Sequence, residues 1–203
     1  MPETTTSAHR GSFEKRITRI DAAAITEAAA QQVREQLDAI HEVSDRLDAA
    51  VKIVTECEKD LPALREERTE LALSLYAYDG IRSVWASAGL SKSGFAKIRA
   101  KHFKQGVPTI DGSRKVDRES LPKIAKKAGV RHRKNALELL PRVATDVVAL
   151  EARAEAAREI RNALALSLIV DGSMRQLDVA KLIGTTQARV SHLVARMEAD
   201  SES

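Results

Sequence analysis

Around Gly184 the chain carries hydrogen-bonding side chains rather than nucleophiles: Thr186, Gln187, Arg189, Ser191 and His192, interleaved with Val190 and Leu193. Amide, hydroxyl and imidazole groups of this kind pair with base edges, glutamine bidentately with adenine, and arginine reaches a guanine or a phosphate. A helix capped by Thr185 or Thr186 buries Val190 and Leu193 at i, i+3 and turns Thr186, Gln187, Ala188, Ser191 and His192 outward. After Gly89, the residues Ser91, Lys92, Ser93, Ala96 and Lys97, with Arg99 and Lys101 following, stand in the same relation to Phe95 and Ile98. This second set is the more basic, which suits phosphates better than bases. Arg131, His132, Arg133 and Lys134 form a third set, because four successive cationic or near-cationic groups cannot all pack inside.

Chemistry of other kinds finds no footing. The sequence has no Walker-type phosphate loop, no G-x-S-x-G elbow, no H-E-x-x-H and no EF-hand loop. His9, His41, His102, His132 and His192 do not fall at paired ligand spacings, and Cys57 is the single cysteine. Tyr76 and Tyr78 sit in a leucine-rich run without the histidine and arginine that a tyrosine nucleophile needs, so core packing is the expected role. The expectation is a protein that is not an enzyme, with no cofactor, metal or small-molecule ligand. A polar N-terminus and a lone cysteine point to the cytoplasm, in association with the nucleoid, and to no membrane partner.

Two elements must position the first two sets. Gly184 supplies the positive φ of a sharp turn after a first helix, and Ala180 is small enough to let a second helix cross closely. This pattern of small residue, turn glycine and buried aliphatics, from Gln176 to Met197, resembles the helix-turn-helix superfamily, including its sigma-factor-like and phage-repressor branches. The resemblance implies double-stranded DNA as partner. Part of the same arrangement recurs. Residues 65–75, REERTELALSL, match residues 158–168, REIRNALALSL, at 8 of 11 positions, and both copies then reach an Asp-Gly pair and a turn glycine. Aligning Gly89 with Gly184 puts Trp85 over Ala180, Phe95 over Val190 and Ile98 over Leu193, a second helix-turn-helix and an internal repeat. Ala125 and Gly129 hint at a third, but Asn135 stands where Val190 should.

Charge is segregated along the chain. Residues 1–79 carry 10 basic and 16 acidic side chains, residues 80–135 carry 15 and 3, and residues 136–203 carry 8 and 10. The 31 residues from Gly80 to Ile110 contain no acid. Such a block inside a net charge of only +4 is the footprint of a polyanion partner.

Abundant alanine and leucine, 3% aromatics and apolar repeats near 3.5 residues predict an all-α protein. Residues 1–12 and 199–203 read as disordered tails. Residues 13–59 read as one long helix or two abutting ones, with Val33, Leu37, Ile40, Leu47, Val51 and Val54 on a coiled-coil seam interrupted at Ser44. That seam leaves open a homodimer through the N-terminal helix or pairing with another helix of the same chain. Asp60 and Pro62 read as a stop and restart, opening a module over residues 60–140 with the first helix-turn-helix, extra helices and a small wing-like β-hairpin. The hairpin turns at Asp111-Gly112 and brings Arg114 and Lys115 into the basic block. Pro141 is expected to start a connector helix over residues 141–170, with Val143, Val147, Leu150, Ala154, Ala157, Leu164 and Leu168 in register and Arg161 as the exception. Its roughly 30 residues at about 1.5 Å each give a reach of about 45 Å if it stands alone, less if it folds back. The second helix-turn-helix then occupies residues 171–198.

Together these features predict a sequence-specific DNA-binding transcriptional regulator of phage or plasmid repressor type, reading a bipartite site with two unlike heads. The alternatives are a coiled-coil, nucleoid-associated or partition-type scaffold with little sequence preference, and a sigma-like adaptor of RNA polymerase. The residues expected to touch DNA are Ser91, Lys92, Ser93, Lys97, Arg99, Lys101, Arg114, Lys115, Arg131, Arg133, Lys134, Thr186, Gln187, Arg189, Ser191 and His192.

Overall fold

A computed structural model describes residues 18–103 and 120–201, which form eight helices. These are α1 (Ala22–Asp38), α2 (Val43–Ala77), α3 (Val84–Ser87), α4 (Lys92–His102), α5 (Leu121–Lys127), α6 (Ala136–Val170), α7 (Gln176–Leu182) and α8 (Gln187–Ser201). The described residues contain no strand. The hairpin expected at Asp111-Gly112, with Arg114 and Lys115, lies outside them.

Local chemistry sets several boundaries. Asp21 begins α1 by accepting a hydrogen bond from the Ala24 N–H at 3.1 Å. The corner between α1 and α2 is tied by Arg46, whose guanidinium donates twice to the Ile40 carbonyl, at 2.9 and 2.6 Å. Two expected boundaries do not occur. α2 runs unbroken through Asp60 and Pro62, and α6 begins at Ala136, five residues before Pro141. Proline in a helix interior forfeits one hydrogen bond and costs about 3 kcal/mol. Burial next to each proline holds the helix together: Leu61 before Pro62 and Leu140 before Pro141 are both in the core. Breaks at 59/60 and 140/141 would therefore fall inside continuous helices.

α2 and α6, 35 residues each, are the frame. They run antiparallel. Arg65 meets Glu151 at 2.7 Å and Glu58 meets Arg158 at 2.8 Å, so seven residues forward on α2 is seven back on α6. The approach is close because α6 presents Ala144, Ala152, Ala154, Ala156, Ala157 and Ala165 as buried positions. α1 lies on α6 as well: Val33 and Leu37 share a cluster with Ile53, Val54, Cys57, Ala154, Ala156 and Ala157. Of the two arrangements left open for the connector, it takes the second and folds back onto the N-terminal helices. The Val33–Val54 seam is occupied within the chain, which takes away the surface that a coiled-coil homodimer would use.

Cys57 reports on this packing. Its thiol is only 3% exposed, and burial pushes its pKa up against the opposing pull of Arg153. Thiolate is the reacting form, so a disulfide reagent is expected to label native protein slowly, at the rate of local opening, and unfolded protein at once. Rapid labelling of the native chain would show that α1 does not cover this site.

Candidate nucleic-acid interface

Each end of the α2/α6 pair carries a small helical head. Head 1 is α3, a turn at Gly89 and α4; head 2 is α7, a turn at Gly184 and α8. The turns are built alike. Gly89 and Gly184 adopt φ of +63° and +66°, and the next N–H reaches back five residues, Leu90 to the Trp85 carbonyl at 2.9 Å and Thr185 to that of Ala180 at 2.8 Å. The second helix is then capped by a hydroxyl. The Ser91 Oγ accepts from the Gly94 N–H at 3.0 Å, and the Thr186 Oγ1 accepts from the Arg189 N–H at 3.3 Å. One turn on, Phe95 (2% exposed) and Val190 (1%) plug each head into the frame. Gly129 makes the same turn hydrogen bond, Val130 N–H to the Ala125 carbonyl, but the helix after it starts only at Ala136, so no third head forms.

The two glycines face different surroundings. A Cβ on Gly184 would meet nothing within 4 Å, whereas one on Gly89 would lie 2.8 Å from the Ile20 Cδ1 and 3.1 Å from the Val148 Cγ2. Residues 18–20 lie over this first turn, with the Ser87 Oγ donating to the Thr18 carbonyl at 2.6 Å. Gly184→Ala is therefore expected to cost about 1 kcal/mol from the positive φ alone. Gly89→Ala should cost more, about 2–3 kcal/mol, as overpacking is added. Equal losses in urea titrations would contradict the crowding at Gly89.

On head 1, Lys92, Ser93, Ala96, Lys97 and Lys101 on α4 are exposed, as is Ser91 at its cap. Arg99 is drawn inward instead: its guanidinium carbon stands 4.7 Å from the centre of the Tyr76 ring and 5.4 Å from that of Phe95, and its Nη1 donates to the Tyr76 hydroxyl at 2.7 Å. On head 2, Thr186, Gln187, Ala188, Arg189, Ser191 and His192 are exposed, as the helical spacing predicts, while Leu193 is only half-buried. Ser91 and Thr186, both among the expected contacts, cap their helices, as the sequence allows for Thr186.

The third basic set divides. Arg131 and Lys134 are exposed. Arg133 is held by carboxylates, Glu70 at 3.3 Å and Glu67 at 3.7 Å, and its backbone N–H donates to the Ser74 Oγ at 2.8 Å. His132 stacks on Tyr78 with centroids 4.9 Å apart. Lys101 and His102 share a groove of about 500 Å³ with Gly129 and Val130, which sets the end of α4 beside the approach to α6. Lys123, Lys126 and Lys127 on α5 are also exposed. They were visible in sequence only as part of the basic block, since α5 shows no outward face until its partner is known.

Below head 2 a groove of about 460 Å³ is lined by Glu58, Glu155, Arg158, Arg161 and Arg189. Arg158 bonds to Glu58 and to Glu155, and these contacts raise its pKa. Arg161 bonds only to the neighbouring amide of Asn162 among described partners, and burial lowers its pKa. Comparison with family models, with curated proteins and with solved structures finds no match to this chain. Among the described residues no group of three or more His, Cys, Asp or Glu is placed to hold a metal ion. None of the described helices is long and apolar enough to cross a membrane.

Proposed function

We propose that the protein is a sequence-specific double-stranded DNA-binding regulator whose two heads are helix-turn-helix modules, with α4 and α8 as recognition helices. The observation that carries this reading is the exposed row Gln187, Ala188, Arg189, Ser191 and His192 on α8, matched in position by Lys92, Ser93 and Lys97 on α4. A helix of this width enters the major groove, where amide and imidazole groups distinguish base pairs and lysines engage phosphates. The acid-free stretch around head 1 supports a division of labour, in which head 1 supplies grip and head 2 supplies base discrimination. Burial of Val33, Leu37 and Val54 of the seam within the chain supports this reading over a coiled-coil scaffold.

Selection from a random duplex library at about 150 mM salt tests the proposal, since non-specific binding is weakened there. A motif is expected to emerge, and Gln187→Ala should relax one base pair within it at a cost of about 1–3 kcal/mol in discrimination. A library that stays random after selection would sink the regulator reading.

A further inference from the structure

The repeat extends from the sequence into the contacts. Arg65–Glu151 and Arg158–Glu58 are the same ion pair made twice, because position 65 corresponds to 158 and position 58 to 151, each 93 residues on. With that same spacing the two long helices end alike: Tyr78 N–H to the Ser74 carbonyl corresponds to Asp171 N–H to Ser167, and Ile81 to Leu75 corresponds to Met174 to Leu168. The cores beneath the heads agree in part, at the spacing of 93 in the long helices and of 95 in the heads. Leu47, Ala165, Val179, Ile183 and Val190 under head 2 answer to Leu140, Ala72, Val84, Ala88 and Phe95 under head 1. Arg68 and Arg161 correspond as well, and burial lowers both.

These equivalences exchange α2 with α6, which are antiparallel. A two-fold rotation that exchanges two antiparallel rods has its axis normal to the plane containing them. Such a rotation leaves unchanged which side of the plane a group lies on. The two heads therefore lie on the same side of that plane, and their helices α4 and α8 are inverted relative to each other. Head 1 packs at the level of Ala72, and head 2 at the level of Ala165, which the register sets opposite Val51. The interval from 51 to 72 on α2, at about 1.5 Å per residue, is roughly 32 Å. Successive major-groove faces on one side of B-DNA recur every ~34–36 Å.

We infer that a single chain is a built-in pseudo-dimer that reads two inverted half-sites about one helical turn apart on one face of the duplex. The inference rests on the DNA-binding reading and specifies its geometry. The half-sites are inverted but unlike, because Lys92 and Lys97 in head 1 stand where head 2 has Gln187 and His192.

The test uses the full chain and duplexes carrying the selected motif. Three versions are compared by anisotropy: the two halves inverted, one half reversed to make a direct repeat, and the inverted pair with five base pairs inserted. The stoichiometry of the complex is read by sedimentation. The inverted pair is expected to bind one chain per duplex, with reversal or insertion lowering affinity at least about 30-fold as one head loses the groove. Equal or better binding of the direct repeat, indifference to the insertion, or two chains on one duplex would overturn the inverted pseudo-dimer while leaving DNA recognition standing. A motif with only one half would do the same. Absence of any selected motif instead removes the reading beneath it.

Discussion

Leu140→Ala and Leu47→Ala are each expected to destabilise the protein by about 2–5 kcal/mol, the range for removing a leucine from a closed core. Both side chains are fully buried. They occupy equivalent places, one joining α6 to head 1 and the other joining α2 to head 2. Their consequences should differ in reach. Leu140 belongs to the larger cluster, with Leu71, Tyr76, Phe95 and Phe103, so its loss weakens the whole frame. Leu47 belongs to a small cluster whose other buried members are Ala165, Val179, Ala180, Ile183 and Val190. Its removal leaves head 2 held by small buried side chains and by half-buried ones such as Val51, Leu164 and Leu168. Urea titration measures the total loss, and amide hydrogen exchange locates it: Leu47→Ala should speed exchange in α7 and α8 before the rest of the chain. Losses under 1 kcal/mol for both, or a rise in exchange spread evenly, would refute the assignment of these leucines as anchors.

On the proposed DNA-binding reading, replacing Lys92, Lys97 and Lys101 together by glutamine is expected to lower DNA affinity by about 10²- to 10³-fold at low salt. It should also reduce the slope of log K against log salt by about 2.7, at roughly 0.9 for each phosphate no longer neutralised. All three side chains are exposed, so stability should change by no more than a few tenths of a kcal/mol per site. Arg99→Gln separates the two effects. That change removes stacking over Tyr76 and Phe95 and a hydrogen bond to the Tyr76 hydroxyl, so it should lower stability first. An unchanged salt slope in the triple variant would remove α4 from the interface.

The helical class was legible because the apolar spacing of each segment is local information. So were the turns: Gly89 and Gly184, with Phe95 and Val190 at fixed distances after them, sit as the spacing predicts. Pro62 misled, because a proline signals a stop only where nothing else holds the helix, and Leu61 beside it is buried against a partner far away in sequence. The single seam read for α6 caught Val143, Val147, Ala154 and Ala157. It missed Ala144, Val148, Ala152, Ala156 and Ala165, because α1 and α2 both pack on this helix and bury more than one stripe. Arg99 and Arg133 stand among the expected DNA contacts, yet both have partners within the chain. Their partners, Tyr76 for one and Glu67 and Glu70 for the other, come from a different helix and are invisible to spacing. The 65–75 and 158–168 match announced a repeat, but that its copies run in opposite directions is a property of packing alone.

The docking of α1 onto α6 also sets an order of events during synthesis. Val33, Leu37 and Cys57 find their alanine partners only in residues 154–157, more than a hundred positions later than Leu37. A growing chain that has not yet released α6 from the ribosome holds an uncovered apolar stripe and a head with half its floor missing. Commitment to the native state comes late, with the last third of the polypeptide. A chain that stops before α6 has neither head on a finished support, so such a truncation is expected to yield an unfolded product for proteolysis.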